Sequence, residues 1–221
     1  MRPLPKLYLL LSSLLFLVIV SCRISKYNNA YGQKVFVNAE TLGSLLSANQ
    51  SLKFKATIDV LRNHLTGILI VKQTDSVATH FVFVTELGMK MFDFVHKDGR
   101  MEVAYVFEPL NKPKLINSLM LNFENMFLLN LPNKSIKYFK SKTDFLFFKL
   151  EDTPKTNTCG YLRSDSASHF TSQEIFNRRK KSSLINYTYN TNTQSYSQIK
   201  CLQYGLVKIH IELNEIPKTN D

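Results

Sequence analysis

The stretch Leu52-Lys53-Phe54-Lys55-Ala56-Thr57-Ile58-Asp59-Val60 decides the fold of this chain. Its apolar and polar side chains alternate at every step, which is the period of a β-strand with one buried face. Four more strand-like runs follow, at residues 64–73, 77–85, 88–96 and 101–108, and each connection between them is short enough for a hairpin. Residues 52–108 therefore predict an antiparallel meander.

Two of these strands are apolar on both faces, at residues 67–71 and 81–84. Strands of that kind are normally covered on both sides. We therefore expect either cover on each face of the sheet or a cavity against one of them.

The period of the apolar residues changes after the meander. Between Pro113 and Pro132 they recur every three or four residues, which predicts a helix of about 16 residues with Pro113 in its first turn and Pro132 as its stop. A broad apolar face of this helix either packs on the sheet as core or serves as a movable lid, formed by Leu119, Met120, Phe123 and Phe127. A shorter helix capped by Asn38 is predicted at residues 39–48, and strands at 135–139, 144–151, 158–165, 183–191, 198–204 and 206–213.

The N-terminus indicates export. Arg2 and Lys6 precede an apolar run at residues 7–20, the pattern of a secretory signal. The run ends in Ile19-Val20-Ser21-Cys22, which resembles the lipobox of bacterial lipoproteins, whose cysteine is acylated and becomes the new N-terminus. The alternatives are an ordinary cleaved signal and an uncleaved anchor.

The lipobox interpretation divides the chain into three parts. Residues 1–21 are then a lipoprotein signal peptide, 22–37 a lipid-anchored tether and 38–221 a single domain. The resemblance also implies an outer membrane lipoprotein of a Gram-negative bacterium, because Arg23 is not the aspartate that commonly retains lipoproteins at the inner membrane. We expect it to face the periplasm, with surface exposure as the alternative.

The chain is basic, with 28 Lys and Arg against 17 Asp and Glu and a formal net charge of +11. Removal of residues 1–21 takes away Arg2 and Lys6 and no acid, which leaves +9. This excess indicates either anionic phospholipid head groups as a partner or simply a lysine-rich solvated surface. The basic run at residues 178–181 has the same two interpretations, and we expect no nucleic-acid partner.

Residues that could perform catalysis are scattered. The five histidines show no metal-ligand spacing, and no nucleophile, phosphate-binding or dinucleotide-binding motif is present. We therefore expect no metal, no cofactor and no enzymatic activity. With Cys22 acylated, Cys159 and Cys201 remain, and they either form a disulfide or are two buried thiols.

A lipobox, a tether, a short helix, an apolar meander, a mid-chain apolar helix and returning strands together resemble the lipoprotein-sorting carrier and receptor (LolA/LolB-like) family of Gram-negative envelopes. The resemblance implies an α+β fold, in which a curved meander sheet forms an incomplete antiparallel β-barrel with helices covering its open side. The cavity between them takes the acyl chains of lipoproteins. The acylated Cys22 makes the chain similar to the receptor, and Leu87 matches the apolar loop residue that delivers cargo to the membrane. The residues expected to line the cavity are Phe54, Ile58, Leu69, Phe81, Phe83, Phe92, Phe94 and Phe107.

Three candidate functions follow from these observations. The first is a lipid-anchored periplasmic protein that receives or carries lipoproteins or other acylated lipids, each buried methylene contributing about 0.8 kcal/mol. The second is a structural or interaction lipoprotein, an accessory subunit of an envelope complex, in which the same residues form a filled core. A hydrolase is the third, and it would need a convergent polar cluster in a cleft.

Overall fold

The computed structural model describes residues 35–36, 45–46, 51–60, 63–74, 78–131, 135–140, 146–151, 158–165, 169–178 and 180–217. The lipobox, the tether up to residue 34 and most of the predicted helix at 39–48 lie outside these residues. Leu45 and Leu46, the part of that helix that is described, form a bend.

The described elements are thirteen strands and one α-helix. A short 3₁₀ turn, Glu108–Leu110, leads into the helix. In chain order the elements are β1 (Val35–Phe36), β2 (Ser51–Val60), β3 (Asn63–Thr74), β4 (Ala78–Thr85), β5 (Lys90–Lys97), β6 (Arg100–Val106), α1 (Pro113–Met126), β7 (Ser135–Lys140), β8 (Leu146–Glu151), β9 (Thr158–Ser164), β10 (Phe170–Asn177), β11 (Lys180–Asn190), β12 (Ser195–Gln203) and β13 (Ile209–Glu215).

All described strands belong to one antiparallel sheet in the order β1-β7-β8-β9-β10-β11-β12-β13-β2-β3-β4-β5-β6. The predicted meander is confirmed as β2 to β6, each strand pairing with the next. A second meander runs from β7 to β13, and the pairing of β13 with β2 joins the two. The sheet is open, with β1 and β6 at its edges.

The later strands differ from the prediction in three places. β10 was not predicted, because its inward positions include the polar Gln173 between Phe170 and Ile175 and so break the apolar alternation. The connection between the strands predicted at 183–191 and 198–204 is shorter than expected, since β12 already begins at Ser195. The last strand starts at Ile209, so the predicted start at Leu206 is wrong.

One face of the sheet carries the core. The row Phe54, Leu69, Phe83 and Phe92 crosses β2 to β5 in register, and each of these side chains is at most 1% exposed. On the opposite face Ile68 is 36% exposed and Ile70, Val82 and Val84 are half-buried. Strands β3 and β4, which are apolar on both faces, are therefore fully buried on the inner face of the sheet and only partly buried on the outer face.

Helix α1 packs on the inner face and touches strands as distant as β6 and β12. These strands are six neighbours apart, which would be about 29 Å in a flat sheet, whereas a helix is about 10 Å across. The sheet must therefore curve around the helix, as the incomplete-barrel prediction requires. Cover by several helices is not confirmed, because α1 is the one α-helix among the described residues.

The end of α1 comes earlier than its sequence pattern suggests. The helix begins at Pro113 as predicted but stops at Met126, well before Pro132. Leu128 takes a φ of +56°, and the N–H of Leu129 bonds the carbonyl oxygen of Glu124 at 3.0 Å. This is the bond of a Schellman cap, in which glycine is usual at the left-handed position. A leucine occupies it here, and its side chain is 3% exposed in the core.

Gly67 sets the distance between β3 and β4. A Cβ on Gly67 would lie 2.0 Å from the carbonyl oxygen of Val84 and 2.9 Å from Cα of Thr85, and both are backbone atoms. At Gly160 in β9, a Cβ would lie 3.5 Å from the Leu150 side chain and 3.7 Å from the carbonyl oxygen of Glu174, both ordinary van der Waals distances. Two buried strand glycines therefore differ in whether a methyl group fits.

We expect Gly67→Ala to lower the free energy of unfolding by about 2 kcal/mol or more, because the two strands must separate to admit the methyl group. Gly160→Ala is the matched control and should change the unfolding free energy by less than about 1 kcal/mol. Urea denaturation followed by circular dichroism measures both. Equal losses in the two variants would contradict the close approach at Gly67.

Candidate functional site

The residues predicted to line a cavity lie together on the inner face. Seven of the eight are at most 1% exposed: Phe54, Ile58, Leu69, Phe81, Phe83, Phe92 and Phe94. Phe107, which follows β6, is partly buried against the same cluster. Strands β2 to β5 supply the seven because alternate residues of a strand point to one face.

The predicted lid residues occupy the space in front of that face. Leu119, Phe123 and Phe127 are at most 2% exposed, and Met120 is partly buried. The ring centroid of Phe123 lies 5.6 Å from that of Phe81 and 5.7 Å from that of Phe92. The ring of Phe127 meets Phe81 at 5.2 Å. Sheet and helix thus form one packed core around these rings.

Polar side chains also attach α1 to the sheet. Asn122 donates from Nδ2 to Oε1 of Gln203 on β12 at 2.8 Å, and its Oδ1 accepts from the Cys201 thiol at 3.6 Å. Gln203 in turn donates to the carbonyl oxygen of Val207 at 2.9 Å. Asn122 is 1% exposed, so these bonds satisfy its amide away from water.

A second polar contact lies one helical turn further on. The Tyr187 hydroxyl of β11 is within hydrogen-bond distance of two acceptors, Oε1 of Gln173 at 3.2 Å and the carbonyl oxygen of Asn125 at 3.4 Å. Burial raises the pKa of Tyr187 well above its ordinary value, so the phenol keeps its proton for donation. We call Asn122, Asn125, Tyr187 and Gln203 the helix anchor.

The helix anchor was not predicted from the sequence. Asn122 follows Leu119 by three residues and precedes Met126 by four, so helical spacing already places it within the apolar stripe. An amide inside an apolar stripe is a signal for a buried polar contact. Its partners on β10, β11 and β12 carry no local signal, because they are distant in sequence.

The two cysteines do not form a disulfide. Cys201 is buried in β12 and Cys159 is partly buried in β9. Strands β10 and β11 lie between them, which places the two cysteine strands about 14 Å apart, whereas a bridge needs Cα atoms within about 7 Å. Burial raises the pKa of the Cys201 thiol to about 12. Cys159 and Cys201 are therefore not placed within bridging distance of each other.

Two hairpin tips carry leucines that are almost fully exposed. Leu87, in the β4–β5 turn, is 96% exposed. Leu206, in the β12–β13 turn, is 98% exposed, and the sequence analysis had placed it in a strand. Both turns lie at the end of the sheet where β2 ends. Gln203, the last residue of β12, pairs with Ile209, which pairs with Val60, the last residue of β2. β4 runs in the same direction as β2 and ends at Thr85.

His96 brings a titratable group to the edge of the core. It faces inward on β5, opposite Thr79, and its Nε2 is buried with no hydrogen-bond partner among the described residues. Burial lowers the pKa of His96, and the Glu124 carboxylate on α1 acts in the opposite direction with a smaller effect. The folded protein therefore favours the neutral imidazole.

A group whose pKa is lower in the folded than in the unfolded state is stabilising only while it is neutral. We therefore expect the free energy of unfolding to fall as the pH drops below about 6.5, where unfolded histidine takes up a proton. In His96→Gln this fall in the unfolding free energy should be smaller. Above pH 7 the plots of unfolding free energy against pH for the variant and the unmodified protein should run parallel. Urea titrations between pH 5 and pH 8 measure the difference. A steeper fall in His96→Gln would contradict a lowered pKa of His96 in the folded protein.

No group of three or more His, Cys, Asp or Glu side chains in the described ranges is arranged to hold a metal ion. Within the same ranges, no helix combines the length and apolarity needed to cross a membrane.

An open antiparallel sheet curved around one helix, with a largely apolar inner face, is a fold that this chain shares with solved structures. A crystal structure of a domain assigned to outer membrane lipoprotein sorting, from Vibrio parahaemolyticus, matches with a TM-score of 0.51 and 7% identity, over 81% of this chain and 87% of that one. A LolA-superfamily protein from Nitrosomonas europaea matches with a TM-score of 0.49 and 8% identity, over 84% of this chain and 94% of that one.

No family model matches the sequence. No curated protein sequence matches it significantly either. The predicted resemblance is thus confirmed for the fold, which this chain shares with the lipoprotein-sorting domain at an identity of only 7%.

Proposed function

We propose that this protein is a lipid-anchored envelope protein that receives or carries lipoproteins or other acylated lipids, with the core between α1 and the inner face as the binding site. The observation that carries the proposal is that one helix covers an inner face made almost entirely of phenylalanine and aliphatic side chains. The shared fold supports it. The lipobox at Cys22 would supply the anchor, in the outer membrane and facing the periplasm.

The mechanism exchanges apolar contacts. An acyl chain entering the core would replace the side chains of Phe123 and Phe127, and each methylene it buries contributes about 0.8 kcal/mol. Because the acyl chain and the helix offer the same kind of apolar surface, the free energy of this exchange is close to zero. Displacement of α1 must also break the hydrogen bonds of the helix anchor, which contribute about 0.5–1.5 kcal/mol each. No covalent step is needed.

We expect Asn122→Ala to reduce the free energy of unfolding by about 1–3 kcal/mol, since Gln203 loses its partner and a small void forms. The same variant should bind a fluorescent acyl probe more tightly, because the state with α1 displaced becomes more populated. Urea denaturation and probe titration measure the two effects separately.

Leu121→Ala is the matched control. Leu121 is the preceding residue of the same helix but is 53% exposed, so its truncation should change neither quantity appreciably. Lower stability of Asn122→Ala with no probe binding in any variant would contradict carriage. It would instead favour the second candidate function.

That second candidate is an interaction lipoprotein with a permanently filled core. The tight ring contacts of α1 favour it, because Phe81, Phe123 and Phe127 leave no gap between them that would hold a chain. In this case α1 is structural and the partner binds elsewhere on the sheet.

The exposed leucines suggest how cargo would meet the membrane. Leu87 was expected as the delivery residue, and Leu206 lies at the same end of the sheet with a still more exposed side chain. Exposed basic side chains, Lys90, Arg178 and Lys208, are at that end too, where they would favour anionic phospholipid head groups. We propose that this end docks on the lipid surface.

We expect Leu87→Glu combined with Leu206→Glu to weaken binding of the Cys22→Ser protein to vesicles containing phosphatidylglycerol by tenfold or more, because two leucines no longer enter the apolar layer. Vesicle co-sedimentation measures this binding. Leu202→Glu is the control, since Leu202 is 37% exposed on the outer face of β12 and does not lie in a turn. Equal binding by the double variant and the control would contradict docking through the tips.

A further inference from the structure

A cleft of about 290 Å³ opens at the opposite end of the sheet from Leu87. It lies beside the β11–β12 turn and the end of β13, and its floor is formed by Leu52, Phe54 and Phe127. Phe54 and Phe127 also belong to the core, where their ring centroids are 5.9 Å apart. The cleft therefore reaches the packed core from the surface.

The rim of the cleft is aromatic. The rings of Tyr189 and Tyr196 meet edge to face at 5.2 Å, and the imidazole of His169 stacks on Tyr189 at 3.6 Å. The Tyr196 hydroxyl accepts a hydrogen bond from the N–H of Phe170 at 2.8 Å, which fixes the orientation of its ring. Oriented aromatic faces attract cations, and quaternary ammonium groups most characteristically.

The charge of the cleft is opposite to that of the protein. Glu215 lines it from an inward position of β13, paired with Phe54, and its carboxylate accepts a hydrogen bond from the Ser195 hydroxyl. Asp165 adjoins the rim, since its carboxylate accepts the N–H of His169 at 2.8 Å. Neither Lys nor Arg is among the described residues that line the cleft, although the chain carries a formal net charge of +11.

From this geometry we infer that the cleft binds a cationic amine that carries an alkyl chain. The ammonium group lies between the Glu215 carboxylate and the tyrosine rings, and the alkyl chain runs over Leu52 towards Phe54 and Phe127. The inference rests on the proposed function and deepens it, because it names the head group that the acyl-binding core accepts from this end. A carboxylate or phosphate head group would be repelled by Glu215.

The size of the cleft is consistent with this ligand. A volume of about 290 Å³ is at the lower limit of ligand pockets, which are about 300–1,000 Å³. It holds one head group and the first part of one chain. Several long acyl chains would not fit without movement of α1, so the cleft is a site of initial recognition and the core is the site of burial.

The test compares three probes of equal chain length: hexyltrimethylammonium, hexan-1-ol and hexanoate. Each is titrated by calorimetry into the full-length protein in a neutral maltoside detergent, at low and at high salt. We expect the ammonium probe to bind at least tenfold more tightly than the alcohol, with the difference shrinking as salt is added. The carboxylate should bind most weakly.

Glu215→Gln keeps an acceptor for Ser195 and removes the charge. It should reduce the affinity for the ammonium probe at least fivefold and leave the alcohol unchanged. Tyr196→Phe retains the ring and should bind the ammonium probe nearly as well as the unmodified protein, whereas Tyr196→Leu should bind it more weakly. Circular dichroism confirms that each variant is folded.

Equal affinity for the ammonium and the alcohol, tighter binding of the carboxylate, or no effect of Glu215→Gln would overturn the inference. These outcomes are separate from failure of the carrier proposal. If the acyl probe binds Asn122→Ala but the cleft shows no preference for an amine, carriage stands and the head-group selectivity falls. If the ammonium probe binds the cleft but no acyl probe enters the core, the selectivity stands and carriage falls.

Discussion

The packing of the Phe123 and Phe127 rings against Phe54, Phe81 and Phe92 is the interaction on which the rest of the structure depends. Each such ring pair contributes about 0.5–1.5 kcal/mol beyond the area it buries. More important, the rings close the inner face of a sheet that has open edges at β1 and β6. Without α1, a continuous phenylalanine surface would face water. The packing of these rings therefore stabilises the state in which α1 covers the sheet. The same rings would make the inner face apolar in any state in which α1 is displaced.

Much of this arrangement could be predicted from the sequence, because it is recorded in local periodicity. Alternation around Phe54 and Ile58 gave the inner face, and the three- and four-residue spacing through Leu119 and Phe123 gave the helix. The pairing of β13 with β2 could not be predicted, since both strands have ordinary half-buried patterns and nothing local selects the partner. β10 was missed because the polar Gln173 occupies a core position, where its Oε1 is within hydrogen-bond distance of the Tyr187 hydroxyl.

The candidate site divides in the same way. Its apolar half was accessible from the pattern, whereas its polar half depends on residues far apart in the chain: Asn122 with Gln203, and Glu215 with Ser195. The two ends of the sheet also differ in character. One carries exposed leucines beside basic groups, and the other an aromatic cleft lined by one carboxylate, that of Glu215. Composition reports only the sum of the charges, so a net charge of +11 gives no sign of a cleft that no described Lys or Arg lines.

The junction of β13 with β2 has a consequence for how the molecule is made. Ala56 of β2 pairs with Leu213 of β13. β2 is one of the first long strands to be synthesised, and its second edge stays unpaired until β13, near the end of the chain, has been made. Hairpins β2 to β6 are local and form rapidly, but closure of such distant contacts is slow. A protein exported as an unfolded chain would therefore pass through an intermediate with a half-paired, phenylalanine-rich sheet. Its yield should depend on how long that sheet is protected from other chains.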